Sequence, residues 1–276
     1  MGQYLDALRP DVVLFEGYHP TYATLLVHEA HERGIAAVYW AIEDPCLFEY
    51  TLSLLREYDV VLTTTVECVP YYAKCGITAY VMTFACNPYY HHAGVATSAY
   101  PYDGALAASH YTQPSRQRGL RNILTPLLDS PWRIGVWGAH WDRPEGQAFL
   151  HPHEDVFHGY LGNTALPDLC ASVPIILGVQ CDDSSLTQTA MRPYEVLGCR
   201  GFHLTQWTPA TDAIFRDGEH LAMSSSPEET VDKTRYYLDH PEERERIAAA
   251  GQSYVYAEHT YAHRVRDVLL PALGSF

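Results

Sequence analysis

The stretch MRPYEVLGC, residues 191–199, sets Arg192 and Glu195 three positions apart in a run with helical spacing, behind the small polar loop CDDSSLTQTA. The start of a helix offers unpaired backbone N–H groups and the positive end of the helix dipole, and both favour an anion. Thr187, Gln188 and Thr189 could add side-chain hydrogen bonds to it. Arg192 falls in the first turn, where a cation opposes the dipole and where a bound anion would justify it. Glu195 lies about one turn deeper, too far in to act as a cap. It could accept two hydroxyl hydrogen bonds from a sugar such as a ribose, or pair with Arg192 across the helix surface. Spacing leaves both readings open.

The elements that must position these residues follow a regular alternation. Apolar runs at 11–17, 35–42, 59–64 and 78–82 read as buried strands, separated by helical patterns at 20–34, 44–58 and 66–76. In the 44–58 helix Asp44 reads as the N-cap and Pro45 as the first helical residue. From Phe84 to Asp103 the pattern lapses into a Tyr-, Pro- and Gly-containing connection. Strands then resume at 104–108, 133–138, 174–180 and 201–206, with helices at 115–128, 166–173 and 189–199 and a long loop through about residue 164. A helical tail closes the sequence, with Ser226 as N-cap ahead of Pro227 and Glu229. Strands alternating with amphipathic helices predict an α/β fold of parallel sheets covered on both faces. Two Rossmann-like domains are expected, a short one over 1–95 and a second over 103–276 that carries the helical tail.

Such units place ligands beyond the carboxyl ends of their strands. The residues there are Glu16, Tyr18, His19, Glu43, Asp44, Ser109, His110, Tyr111, His140, Trp141, Gln180, Asp182 and Asp183. His19 and Asp44 are candidate general bases, each with a structural alternative: a turn before Pro20 for His19, a helix cap for Asp44. His110 and His140 are candidates for contacts with a sugar or phosphate.

Composition narrows the partners. Thirty-three acidic against 18 basic residues give a formal charge of −15, which works against nucleic-acid or anionic-membrane binding. No run reaches the roughly 20 apolar residues of a membrane span, and the N-terminus lacks a signal-peptide layout, so a cytoplasmic location is expected. Seven cysteines without a C-x-x-C pair suit reduced thiols. HPHEDVFH (151–158) is rich in histidine but has no recognisable ligand spacing, and no metal is expected.

Residues 191–265 resemble the C-terminal segment of CgeB-like spore-maturation proteins, a branch of the GT-B-type glycosyltransferases. The resemblance runs through R-x-x-E-x-x-x-C-x-G, the strand ending before T-P, F-R-D-G, S-P-E-E, H-P-E-E-R and H-T-Y, and VYWAIEDPCLFEY is similar to the family's N-terminal domain. It implies sugar transfer from a nucleotide-sugar donor, a UDP-sugar being the expected one, to an envelope or spore-surface glycan or protein, with no further cofactor. It also implies that Glu195 holds the ribose, that Thr187 to Met191 with Arg192 hold the diphosphate, and that residues 160–173 lie beside the base. Many retaining members carry a second glutamate eight residues earlier, where this sequence has Thr187. A non-catalytic nucleotide- or sugar-binding coat protein of the same fold is the alternative. An epimerase-like enzyme would need a Gly-rich fingerprint after the first strand, which FEGYHP does not supply.

Overall fold

The computed structural model describes every residue except Tyr18, Ser275 and Phe276, so the candidate Tyr18 lies outside the described residues. The chain forms two compact units, one of residues 1–83, 186–188 and 262–276, the other of 84–185 and 189–261. The connection expected between domains thus belongs to the second unit from Phe84 onward. The last turns of the helical tail return to the first.

In the first unit β1 (Val12–Glu16), β2 (Ala36–Ala41), β3 (Val60–Thr63) and β4 (Ala79–Val81) pair in parallel in that order. Val13, Ala37, Tyr39 and Val61 join Val27, Ala30, Leu55 and Tyr72 in its core. The strand order never reverses among the described residues, so this sheet has no topological switch point.

In the second unit β5 (Gly104–Ala107), β6 (Ile134–Trp137), β7 (Ile175–Gly178), β8 (His203–Gln206) and β9 (Ala222–Ser224) form a parallel sheet in the order β6-β5-β7-β8-β9. Alternation divides its core in two. Leu106, Leu177 and Leu204 face Leu120, Ile123 and Leu127, while Ala105, Ala107 and Ile176 face Leu166, Leu169 and Val196. The order reverses between β5 and β7, and a ligand crevice opens at such a point beyond the carboxyl ends of the strands.

The structure departs from the sequence reading in several places. β9 is only three residues long, too short to show a period. The helix Pro144–Leu150 lies in the stretch read as loop, because its apolar residues gather at its end. The helix after β2 starts at Phe48 behind Leu47, not at Asp44. Asp44 does not cap it because its carboxylate is buried among hydroxyl donors described below. At Ser226 the cap forms as expected: Ser226 Oγ accepts from Glu229 N at 3.2 Å, and the Glu229 carboxylate accepts from Ser225 N at 2.8 Å. No helix of the described residues is long and apolar enough to cross a membrane.

Gly138 ends β6 with φ 144°, and a Cβ there would run into the Ala108 carbonyl after β5. Gly138→Ala therefore combines an unfavourable φ with backbone overlap. Chemical denaturation should show a loss of about 1–3 kcal/mol, at the overpacking scale; an unchanged midpoint would contradict this.

Candidate functional site

The crevice of the second unit is framed by the helices that follow β5 and β7. Each begins at the carboxyl ends of the strands and carries an arginine in its first turn. Arg116 belongs to the helix Pro114–Ile123, Arg192 to the seven-residue helix Arg192–Gly198.

Arg116 is only 4% exposed and forms no ion pair among the described residues. Its guanidinium donates to Val179 O at 2.8 Å and to Ser109 O at 2.9 Å, which ties together the segments leaving β5 and β7. Burial pushes its pKa down, and Arg192 is among the charges that act on it. Sequence reading missed Arg116; a lone Arg in SRQRGLRN looks like any surface helix residue.

Arg192 Nη1 lies 2.8 Å from Glu195 Oε2, so the helix-surface pairing left open by spacing is made. It is not on the surface, however. The Glu195 side chain is 5% exposed and that of Arg192 24%. The other carboxylate oxygen, Oε1, faces His91 Nε2 at 3.7 Å, beyond hydrogen-bond length but within ion-pair reach. His91 Nδ1 accepts from the Asn87 N–H at 3.0 Å, so Nε2 carries the proton and points at the carboxylate. Burial is the main cause lowering the His91 pKa, opposed by Glu195 and reinforced by Arg192 and His92. His91 was absent from the sequence candidates because it lies in the aperiodic connection, where nothing marks one His above its neighbour His92.

The helix comes close to that connection because Gly198 has no side chain. A Cβ at Gly198 would sit 2.9 Å from His91 Cβ and 3.2 Å from Cys86 Cβ. The loop that leads into the helix is held from below by Gln180, which accepts from Ala190 N at 2.6 Å and donates to Thr205 Oγ1 at 3.0 Å. With seven residues and Pro193 at its second position, the helix has a short dipole and one N–H fewer at its start. An anion here would meet mainly the Arg192 side chain, not the helix terminus expected from the sequence.

The other sequence candidates divide sharply. Met191 is the N-cap residue and 41% exposed, without a side-chain cap bond. Thr189 is buried, its Oγ1 3.5 Å from the Tyr194 hydroxyl. Thr187 and Gln188 group with the first unit: Thr187 Oγ1 donates to Thr64 O and accepts from Val66 N, both at 2.9 Å, and Gln188 Nε2 donates to Asp44 O at 3.1 Å. These bonds all lie within the first unit. His110 is 3% exposed, packed on Trp141 and bonded to Gln117 Nε2 at 2.9 Å, with a pKa lowered mainly by burial. It is a core histidine, not one open to a sugar. His140 is half-buried at φ 71°, its Nδ1 3.3 Å from His110 O. That left-handed conformation marks a strained position at the crevice. Asp183 pairs with Arg118 at 2.7 Å.

In the first unit Asp44 is 1% exposed, and its Oδ2 accepts from Thr63 Oγ1 at 2.6 Å and from the Tyr72 hydroxyl at 2.7 Å. A base must reach the proton that it removes, and this carboxylate is enclosed; it braces the turn after β2 instead. His19 is exposed, immediately before the helix Pro20–His31, its ring 4.6 Å from that of Tyr22. Glu43 has a pKa raised by burial and by Glu16. The three histidines of HPHEDVFH diverge, His151 to Glu154, His153 to Asp129 and His158 to the Tyr102 hydroxyl. Among the described residues no three His, Cys, Asp or Glu side chains converge on a metal position.

Residues 116–269, more than half of the sequence, match the model of a family described as glycosyl transferase-like. The chain belongs to this glycosyltransferase family. The match begins at Arg116 and includes Arg192 and Glu195. The spore protein CgeB of Bacillus subtilis (strain 168) is 22% identical, over 90% of this chain and 83% of its own. Among solved structures, Anabaena HepE in complex with UDP and glucose is similar at TM-score 0.66 and 10% identity, covering 95% of this chain and 78% of that one. Sucrose-phosphate synthase of Thermosynechococcus elongatus is similar at TM-score 0.65 and 10% identity, covering 97% and 74%. The fold is thus the two-Rossmann, GT-B-type fold of glycosyltransferases.

Burial raises the Asp44 pKa, outweighing the Thr63, Tyr72 and Cys68 hydrogen bonds that lower it. A carboxyl raised in the folded state stabilises fully below its unfolded pKa and loses that contribution as pH rises through the folded value. Asp44→Asn, which keeps an acceptor for both hydroxyls, should remove the loss of thermal stability that wild type shows as pH rises above the ordinary carboxylate range. Asp44→Ala should cost about 1–3 kcal/mol by orphaning them. Equal melting profiles for wild type and Asn variant would refute the assignment.

Proposed function

We propose that this glycosyltransferase moves a sugar from a nucleotide-sugar donor, with a UDP-sugar as the first donor to test, to an acceptor on the spore surface or cell envelope. The observation that carries the reading is the Arg192–Glu195 pair beside the β5/β7 switch point, within the residues matched by the family. A guanidinium suits a diphosphate oxygen, and a carboxylate suits a sugar diol. Arg116 adds a second fixed positive charge at the ends of the same strands. Positive charge at a departing nucleoside diphosphate lowers the barrier to transfer. The UDP seen with Anabaena HepE supports the choice of nucleotide. The spore context rests on CgeB.

For removal of the acceptor proton the candidate of the first unit is His19, whose imidazole is exposed. A binding-only role is the second reading, favoured by Thr187: the position where many retaining relatives carry a glutamate is engaged by the backbone of Thr64 and Val66.

Thermal-shift and hydrolysis screens with nucleotide-sugars test the proposal. Glu195→Ala should weaken donor binding roughly 10- to 100-fold, the scale of hydrogen bonds to a charged group, and lower turnover with it. Stabilisation by a nucleotide-sugar without hydrolysis or transfer to any acceptor would leave the binding-only role; no response to any donor would overturn both.

A further inference from the structure

As it stands, Glu195 has no vacant place for a sugar diol: Arg192 occupies Oε2 and the side chain is buried. An anionic ligand that draws Arg192 away would open Oε2, yet it would also take the nearest cation from a buried carboxylate. Leaving such a charge uncompensated is strongly unfavourable. Among the described residues, His91 is placed to prevent this: its Nε2 already faces Oε1 from the opposite side. Its backbone carbonyl accepts from the Tyr256 hydroxyl at 2.7 Å and its ring Nδ1 from Asn87 N at 3.0 Å, so both its backbone and its ring orientation are fixed.

We propose that His91 is a positioning residue that keeps the Glu195 carboxylate in place while Arg192 turns to the ligand phosphate, and that it takes up a proton as this exchange occurs. The inference rests on reading the Arg192–Glu195 pair as the nucleotide-sugar subsite. The proton comes from solvent and adds to no covalent step; imidazole becomes imidazolium against a carboxylate that has lost its guanidinium.

The groups around His91 set the sign. On its own segment His92 disfavours protonation; on the Arg192–Gly198 helix Arg192 disfavours it and Glu195 favours it. The Tyr256 hydroxyl, bonded to the His91 carbonyl, has its pKa raised mainly by burial, and Cys86 lies near Gly198 beside this segment. Once a phosphate neutralises Arg192, one opposing charge fades and the favouring carboxylate is no longer shared. Protonation of His91 then becomes easier with ligand than without it, and binding tightens as pH falls.

Calorimetric titration of the full chain with UDP, GDP and ADP, in buffers of differing ionisation enthalpy near pH 7, reads the exchange directly. Wild type should take up a fraction of a proton per nucleotide bound. His91→Gln, which retains a hydrogen-bond donor but cannot charge, should bind roughly tenfold more weakly and show no dependence on buffer. If that variant does not fold, Glu195→Gln should likewise abolish proton uptake while some nucleotide affinity remains. Nucleotide binding without proton uptake in wild type, or uptake that persists in His91→Gln, overturns the role of His91 and leaves the proposed function standing. A wild type that binds none of the three nucleotides fails at the earlier step and overturns both.

Discussion

Burying a carboxylate requires partners that replace water, and at Glu195 the second unit supplies them from two distant segments. Arg192 stands one helical turn away, and His91 comes from the connecting segment far earlier in the chain. For the two to face one carboxylate, the Arg192–Gly198 helix must lie almost against residues 86–91, and Gly198 is what permits it. Tyr256, on the helix Pro241–Glu258, donates to both the His91 and Gly198 carbonyls and so fixes the two segments together. Gln252 adds a second bond to Gly198 O at 2.9 Å. The long C-terminal helix therefore has a part in the site without contributing a ligand-facing charge.

Sheet topology supplies the other constraint. A parallel sheet buried on both faces leaves its chemistry to the carboxyl ends, and among the described residues only the second sheet reverses order there. Arg116 bridges the segments after those two strands through hydrogen bonds to backbone carbonyls, with the Tyr111 ring against its guanidinium. A cation held in this way adds positive potential to the crevice while keeping its own position fixed, because none of its bonds depends on a flexible side chain. Such preorganised charge is more effective toward a developing anion than a mobile lysine on the rim.

Much of this was legible in the sequence for physical reasons. Val-, Ile- and Ala-rich runs of four to eight residues separated by helical patterns have few solutions other than parallel α/β units, and β1 to β8 follow them closely. Arg192 and Glu195 could be singled out because a cation in a first turn, ahead of a carboxylate in an apolar helix, contradicts ordinary helix preference. His91 and Arg116 could not. Each owes its importance to tertiary neighbours, a carboxylate for one and a pair of strand-end carbonyls for the other, and neither leaves a local pattern. The cap expected of Asp44 failed for the same reason: Thr63 and Tyr72, distant in sequence, claimed the carboxylate first.

Polar residues at strand ends are thus separated by one physical criterion, whether the protein itself satisfies them for good. Asp44 and Thr187 accept or donate to backbone and hydroxyl groups that no ligand would displace without unfolding the turn. Thr187 in particular is engaged twice, and the first unit gains its 186–188 segment through such bonds. The Arg192–Glu195 bond is of another kind, since each partner is a charged side chain that a phosphate or a diol can replace. That difference, a charged partner in Arg192 and His91 on the other side, sets Glu195 apart from a carboxylate of similar burial such as Asp44.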